Sequence, residues 1–399
     1  VTTLLRDVRI VSPDRIAENA SLLILKDRIA HLFASSANQP SGADFVIDLH
    51  GVTLMPGFID VHIHGAVGVD TMEADAAGLT RVSRFLATQG VTGWLPTLVP
   101  APDADYASAI DAIAEAMNPE ADDQGSNGSR ILGVHYEGPF VNSSQCGALR
   151  TQFFRTFASA GDIDSLPRIP AGDQQVVKHM TTLAPEIAGG IDLVRELGRR
   201  GWIVSIGHTR ADFALLEKAF EAGARHMTHF MNAMAPLHHR SPGPIAWGLS
   251  HDEVTCDVIA DGIHLDPRIL KMLFKLKGPA GLTLISDAVA AAGLGDGDYQ
   301  IWGETINVSQ RRTRNPAGSI AGSVISMLDA VRMMRSLGVS DVDLARMGSG
   351  NPARLLGIDD ECGSIEEGKR ADLVAIDDQG EVVLTLVGGS IVYDSRRPT

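Results

Sequence analysis

Eight short apolar runs, separated by stretches of helical periodicity, constrain this chain more than any other feature. They begin near Phe58, Val91, Ile131, Val177, Ile203, His226, Val254 and Leu282. Between them, segments such as Asp192 to Arg200 and Ala211 to Ala222 repeat their apolar residues with the period of an amphipathic helix. Strands alternating with helices favour a parallel sheet, and eight of them close most economically into a (β/α)8 barrel. The expected fold class is therefore α/β, with a TIM-like barrel. The two ends read differently. Short β-rich runs occupy Leu4 to Ile10, Ser21 to Leu25 and Phe45 to Leu49, and again Ala371 to Ile376, Val382 to Val387 and Ile391 to Tyr393. They predict a small β-sandwich built from both termini, residues 1–54 and 356–399, beside a barrel at 55–355. The 399 residues are more than one ordinary core needs, which suits one large unit plus a smaller one. Asn142 to Gln175 is long for a connection in such a barrel and predicts a lid.

Five metal-friendly side chains, His62, His64, Glu137, His208 and His229, lie at or just past the ends of four of these runs. In a strand, residues two apart share a face, so the His62-x-His64 pair can hold one ion together. Ligands gathered from the C-terminal ends of several parallel strands are how such a barrel assembles an active site. Glu137, His208 and His229 fit N/O ligation of a divalent metal with an open position. His62 and His64 suit either a second, weaker metal site or a supporting role around the first. Metal-assisted hydrolysis also needs a group to carry a proton from water to the leaving atom. Asp287, at the end of the eighth run, is the candidate, against the plainer reading of an aspartate capping the next segment. His264, past the seventh run, either polarises a carbonyl, grips a substrate hydroxyl, or is a loop histidine. His179, His226 and His251 read as structural.

Composition narrows the partners. Hydrophobic content of 44% and charged content of 21% are ordinary for a globular chain. A net charge of −15 argues against nucleic acid or an anionic membrane as partner, and means that an anionic substrate needs a local cationic grip. No apolar run approaches the roughly 20 residues of a membrane span. Val1 to Arg6 has no signal-peptide pattern, and Cys146, Cys256 and Cys362 are far apart with no CxxC spacing, so a reduced, cytoplasmic protein is expected.

Several motifs carry a family resemblance. Pro56-Gly57-Phe58-Ile59-Asp60-Val61-His62-Ile63-His64-Gly65 resembles the opening motif of the amidohydrolase superfamily. His135-Tyr136-Glu137-Gly138-Pro139-Phe140, Gly207-His208-Thr209, Thr228 to Met234, Ala260 to His264, Ser286-Asp287-Ala288 and Ser319-Ile320-Ala321-Gly322-Ser323 resemble the N-acetylglucosamine-6-phosphate deacetylase family, in order along nearly the whole barrel. The resemblance implies that Glu137, His208 and His229 hold the principal ion and that Asp287 is the general base and acid. It implies one or two divalent ions per subunit, zinc first, with iron or another transition metal as alternatives. It assigns His264, Asn232, Ala233, Ala148, Ile320 and Ala321 to an amino sugar phosphate substrate. Arg240 matches a position that reaches the phosphate from a neighbouring subunit, implying a homodimer or a higher homo-oligomer, against the reading of a solvated loop arginine. One departure stands out: where the family commonly has Gly, a small residue and a sugar-contacting His, this chain has Gly147-Ala148-Leu149. Rival readings are a deacetylase of another N-acyl amino sugar phosphate such as N-acetylgalactosamine 6-phosphate, a hydrolase of a cyclic amide, and a non-catalytic scaffold, which would be expected to have lost ligands.

Overall fold

The computed structural model describes residues 1–34, 42–118, 128–170 and 177–397. Its centre is a barrel of eight parallel strands: β1 (Phe58–Ile63), β2 (Val91–Leu98), β3 (Gly133–Glu137), β4 (Lys178–Leu183), β5 (Ile203–Ile206), β6 (His226–Met227), β7 (Thr255–Ile259) and β8 (Leu282–Ile285). Each starts within two residues of the position read from the sequence. Neighbours pair in parallel from β1 through to β8. The ring closes just past the strand ends. There the Asp287 N–H donates to the His62 carbonyl at 2.9 Å, and the His64 N–H donates to the Ala288 carbonyl at 2.8 Å. That closure sets Asp287, two residues past β8, beside the His-x-His pair.

Helices cover the outside: α1 (Ala76–Thr88), α2 (Asp103–Ala116), α3 (Gly190–Arg199), α4 (Phe213–Glu221), α5 (Gly243–Ser250), α6 (Pro267–Lys277) and α7 (Met327–Ser336). Asp75 starts α1 by accepting the Gly78 N–H at 2.7 Å, and Asp212 starts α4 by accepting the Leu215 N–H at 2.9 Å. On α3, Leu193, Val194 and Leu197 form the buried stripe while Asp192 and Arg195 face water. No helix among the described residues is long and apolar enough to cross a membrane.

Two connections depart from the helix rule. Three short 3-10 turns, Ser143–Gln145, Thr151–Phe153 and Ala160–Ser165, follow β3 in the segment expected to be a lid. Residues 171–175 of that segment lie outside the described residues. After β8 comes a small antiparallel sheet, Gly297–Ile301, Glu304–Ser309 and Arg312–Arg314, which the sequence reading left unassigned. Ile301 pairs with Glu304 around Trp302-Gly303, at φ of 53° and 77°. A two-residue hairpin turn of type I′ needs two such positive values, normally supplied by Asn-Gly or Gly-Gly. Tryptophan at the first of them hid the turn.

The termini build one further sheet. Thr2–Ser12 lies beside Arg15–Leu25 on one edge and beside Phe45–Asp48 and Thr53–Pro56 on the other. Leu373–Ile376, Val382–Val387 and Ser390–Asp394 extend it outward from Thr53–Pro56. The sandwich is thus one sheet curled on itself. The far edge strand, Arg28–Phe33, starts beside the segment before Leu373, with Ile29 N–H to the Lys369 carbonyl at 2.9 Å and Ala371 N–H to the Asp27 carbonyl at 2.8 Å. Leu5, Leu22, Ile29, Leu54, Leu373 and Leu386 form its separate core.

Candidate metal centre

The barrel brings all five proposed ligands to one point. Glu137 Oε1 lies 2.9 Å from both His208 Nε2 and His229 Nε2, and its Oε2 lies 3.3 Å from His64 Nε2. Asp287 Oδ1 is 3.4 Å from His62 Nε2 and 3.3 Å from His64 Nε2. Two buried donor sets result, His62 with His64 and Glu137, and Glu137 with His208 and His229, each with its donor atoms within 4.8 Å of one another. Nitrogens face nitrogens: His208 Nε2 and His229 Nε2 are 3.1 Å apart, and His62 Nε2 and His64 Nε2 are 3.2 Å apart. Opposed ring nitrogens and two carboxylates in one dry pocket are reconciled by a cation between them, so the residues fit a divalent metal.

The proposed ligands are aimed from behind. His208 Nδ1 donates to the Gln145 carbonyl at 2.7 Å and His64 Nδ1 to the Thr97 carbonyl at 3.2 Å, which aims each Nε2 at Glu137. The Trp302 ring sits edge-on to His64, with centroids 5.1 Å apart. His208, His229 and Asp287 hold φ of 48°, 30° and 50°. Such values cost a non-glycine residue about 1–3 kcal/mol each and persist where the surroundings over-determine them. Asp287 is fixed on both sides, since its carbonyl accepts the Ser323 N–H at 2.7 Å. Gly322 makes that approach possible: a Cβ there would lie 2.9 Å from the Asp287 carbonyl oxygen.

Electrostatics follow from burial and company. Burial alone would raise the Glu137 carboxyl, but hydrogen bonds from His208, His229 and His64 outweigh it and hold the group well below the carboxylate range. Burial opposes a charge on His64, yet Asp287 and Glu137 push it up to about 10. His62 has burial as its dominant influence and is driven well down. Asp60, fully buried beneath the site, is raised to about 7 by burial against its bond from Ser286 Oγ.

The expected substrate residues divide. His264 is nearly buried, and its Nδ1 lies 2.7 Å from Asp261 Oδ2, which leaves Nε2 for a substrate. Ala233 is joined to the segment after His208 through the Thr209 N–H at 3.1 Å, and Asn232 Nδ2 donates back to the His229 carbonyl at 3.2 Å. Ala321 is buried and Ile320 half-buried in the strap that binds Asp287. Half-buried Ala148 packs with Leu149, Val141, Val289, Ala321 and Trp302 in an apolar wall. Leu149 therefore presents no polar group where the family resemblance implied one. Arg240 stands apart on an exposed loop, bonded through Nη1 to neighbouring His239 at 2.9 Å. Cys146 is a half-buried free thiol. Sequence reasoning missed Trp302, Asp60 and Glu186. Glu186 was within reach, being an acid just past the end of β4 as His208 is past β5.

Residues 53–392 match the amidohydrolase family. The chain belongs to that family. It is 36% identical over 395 residues to the N-acetylglucosamine-6-phosphate deacetylase of Bacillus subtilis, covering 98% of both chains. It is 35% identical over 325 residues to the N-acetylgalactosamine-6-phosphate deacetylase of Escherichia coli O157:H7, covering 81% of this chain and 83% of the other. Among solved structures, a mutant N-acetyl-D-glucosamine-6-phosphate deacetylase of Mycobacterium smegmatis in complex with N-acetyl-D-glucosamine-6-phosphate superposes with a TM-score of 0.86 at 30% identity, covering 98% of this chain and 99% of that one. The amidohydrolase barrel and its His/Glu metal-binding group are thus features of this chain.

Proposed function

We propose that this amidohydrolase removes the N-acetyl group of N-acetylglucosamine 6-phosphate, releasing acetate and glucosamine 6-phosphate. The observation that carries the reading is the convergence of Glu137, His208 and His229 with Asp287 beside them at the C-terminal mouth of the barrel. Full-length likeness to deacetylases of this specificity supports the substrate. Glu137, His208 and His229 would hold the principal ion, and His62 and His64 would share Glu137 to hold a second. The bound ion supplies Lewis acidity, making water a better nucleophile and stabilising negative charge. We take zinc as the first choice. Asp287 accepts the proton of the attacking water and returns it to the amine nitrogen, without which an amide nitrogen leaves poorly. His264, oriented by Asp261, contacts the acetylated sugar through Nε2. Asn232, Ala233, Ala148, Ile320 and Ala321 line the sugar, and Arg240 grips the phosphate across a homodimer interface in the cytoplasm.

A second reading has two observations in its favour. The E. coli relative named for the galactose isomer is nearly as identical over the 325 residues that it matches, and Leu149 offers no hydrogen bond to a sugar hydroxyl. Metal analysis of the purified protein, joined to acetate release from both sugar phosphates, tests the proposal. Faster turnover of the galactose isomer would transfer the assignment to it. Absence of metal together with absence of acetate release would end both.

A further inference from the structure

The carboxylate of Glu186 gathers three donors from two separate parts of the metal centre. Its Oε1 accepts Asn142 Nδ2 at 2.8 Å and the Arg210 N–H at 2.6 Å, and its Oε2 accepts the Thr209 hydroxyl at 2.6 Å. Thr209 and Arg210 directly follow His208. Asn142 opens the segment expected to be a lid, and its own N–H donates to the His208 carbonyl at 3.1 Å. From there, Asn142 organises the turn that holds the His208 ring. Its Oδ1 accepts the Ser144 N–H at 2.8 Å, its carbonyl accepts the Gln145 N–H at 2.9 Å, and the Gln145 carbonyl takes His208 Nδ1 at 2.7 Å. Thr209 carries the same node to the other ligand strand, through bonds to Ala233 and Ala235 at 3.1 and 3.0 Å.

We infer that Glu186 is a positioning residue that fixes His208 for the metal and couples the 142–155 segment to metal retention. His208 needs such a clamp because it holds φ of 48°, a region that non-glycine residues rarely occupy. All three donors to Glu186 are neutral, so the carboxylate serves as an acceptor for backbone and side chains rather than as half of an ion pair. One element thereby answers to both the ligand and the lid. Opening the segment frees His208 Nδ1, and an ion that fixes His208 favours the closed segment. The inference rests on the reading of His208 as a ligand.

The test uses zinc itself as probe on the full chain, with affinity read by competition against a chromogenic chelator and segment closure read by tryptic cleavage at Arg150 and Arg155. Glu186→Ala is expected to weaken zinc binding by about 10- to 100-fold, the usual effect of removing a group that orients a ligand, and to speed cleavage of the zinc-loaded protein. Glu186→Gln, which keeps one acceptor oxygen, should fall between. Asn142→Ala cuts only the segment's arm, so it should speed cleavage with a smaller loss of zinc. Wild-type affinity and protection in Glu186→Ala would overturn the inference. If that variant does not fold, graded losses in Glu186→Gln and Asn142→Ala sustain the inference and their absence overturns it. Zinc binding unchanged in Glu137→Ala is a different failure, that of the metal centre itself.

Discussion

Histidines occur in two settings in this molecule, and the contrast separates the proposed ligands from the others. At the mouth of the barrel, the Nε2 atoms of His62, His64, His208 and His229 converge on each other and on Glu137. Away from the mouth, several histidines face protein groups of other segments instead. His179 Nε2 accepts the Ile169 N–H at 3.0 Å. His251 Nδ1 lies 2.8 Å from the Trp247 carbonyl, and its Nε2 lies 2.8 Å from Glu217. His226 Nδ1 lies 2.6 Å from Thr255 Oγ1, and its Nε2 lies 2.8 Å from Asp257, off the hydrogen-bond direction. Burial is alike in the first set and in His226, so burial does not distinguish them. Convergence of several ring nitrogens on one shared carboxylate does.

The most severe way to break this contrast is Glu137→Ala. Metal content and acetate release should vanish together while the far-ultraviolet circular dichroism stays that of a folded barrel, because the core lies in other residues. Stoichiometric metal with full activity would sink the assignment. Next comes Asp287→Asn, which keeps the shape but removes the basic carboxylate. Turnover should drop by at least about 10²-fold with little change in metal content. Metal loss there would make Asp287 a ligand.

Arg240→Ala sharpens the picture away from the mouth. KM for the phosphorylated sugar should rise strongly while the unphosphorylated sugar is barely affected, since a planar guanidinium can give a phosphate two hydrogen bonds at once. Mixing Arg240→Ala with Asp287→Asn subunits should restore activity if Arg240 acts across the interface, because a mixed dimer then keeps one intact site. No recovery after proven exchange would confine Arg240 to its own subunit.

The smallest effect tests the scaffold set. Burial, with Arg168 nearby, pulls His179 down to about 4, against roughly 6.5 when unfolded. Between these values the unfolded chain binds more protons, so stability falls as pH drops through that window. Chemical denaturation of His179→Asn should show a shallower loss between about pH 6.5 and 4. An unchanged slope would assign the loss to other groups.

Much of this was legible beforehand for a plain reason. The strand starts follow from apolar runs bounded by turn residues, and strand ends in a parallel barrel all face one mouth, so His62, His64, Glu137, His208, His229 and Asp287 were brought together by topology alone. The hairpin at Trp302 was not legible, because its turn uses a residue that seldom adopts positive φ. Glu186 was overlooked because one acid past one strand has no periodicity to mark it, and its partners, Asn142 and Thr209, are 44 and 23 residues away in the chain.

The sequence by itself determined the alternating architecture and the identity of the metal-friendly side chains, since both are written in local pattern and strand parity. Tertiary structure alone decided which atoms face each other. Closure of β8 onto β1 set Asp287 3.3 to 3.4 Å from the His-x-His pair, the strap at Ser323 fixed its backbone, and packing turned Leu149 into an apolar wall. Those outcomes depend on contacts between residues far apart in the chain, and their geometry exists only once the barrel has closed.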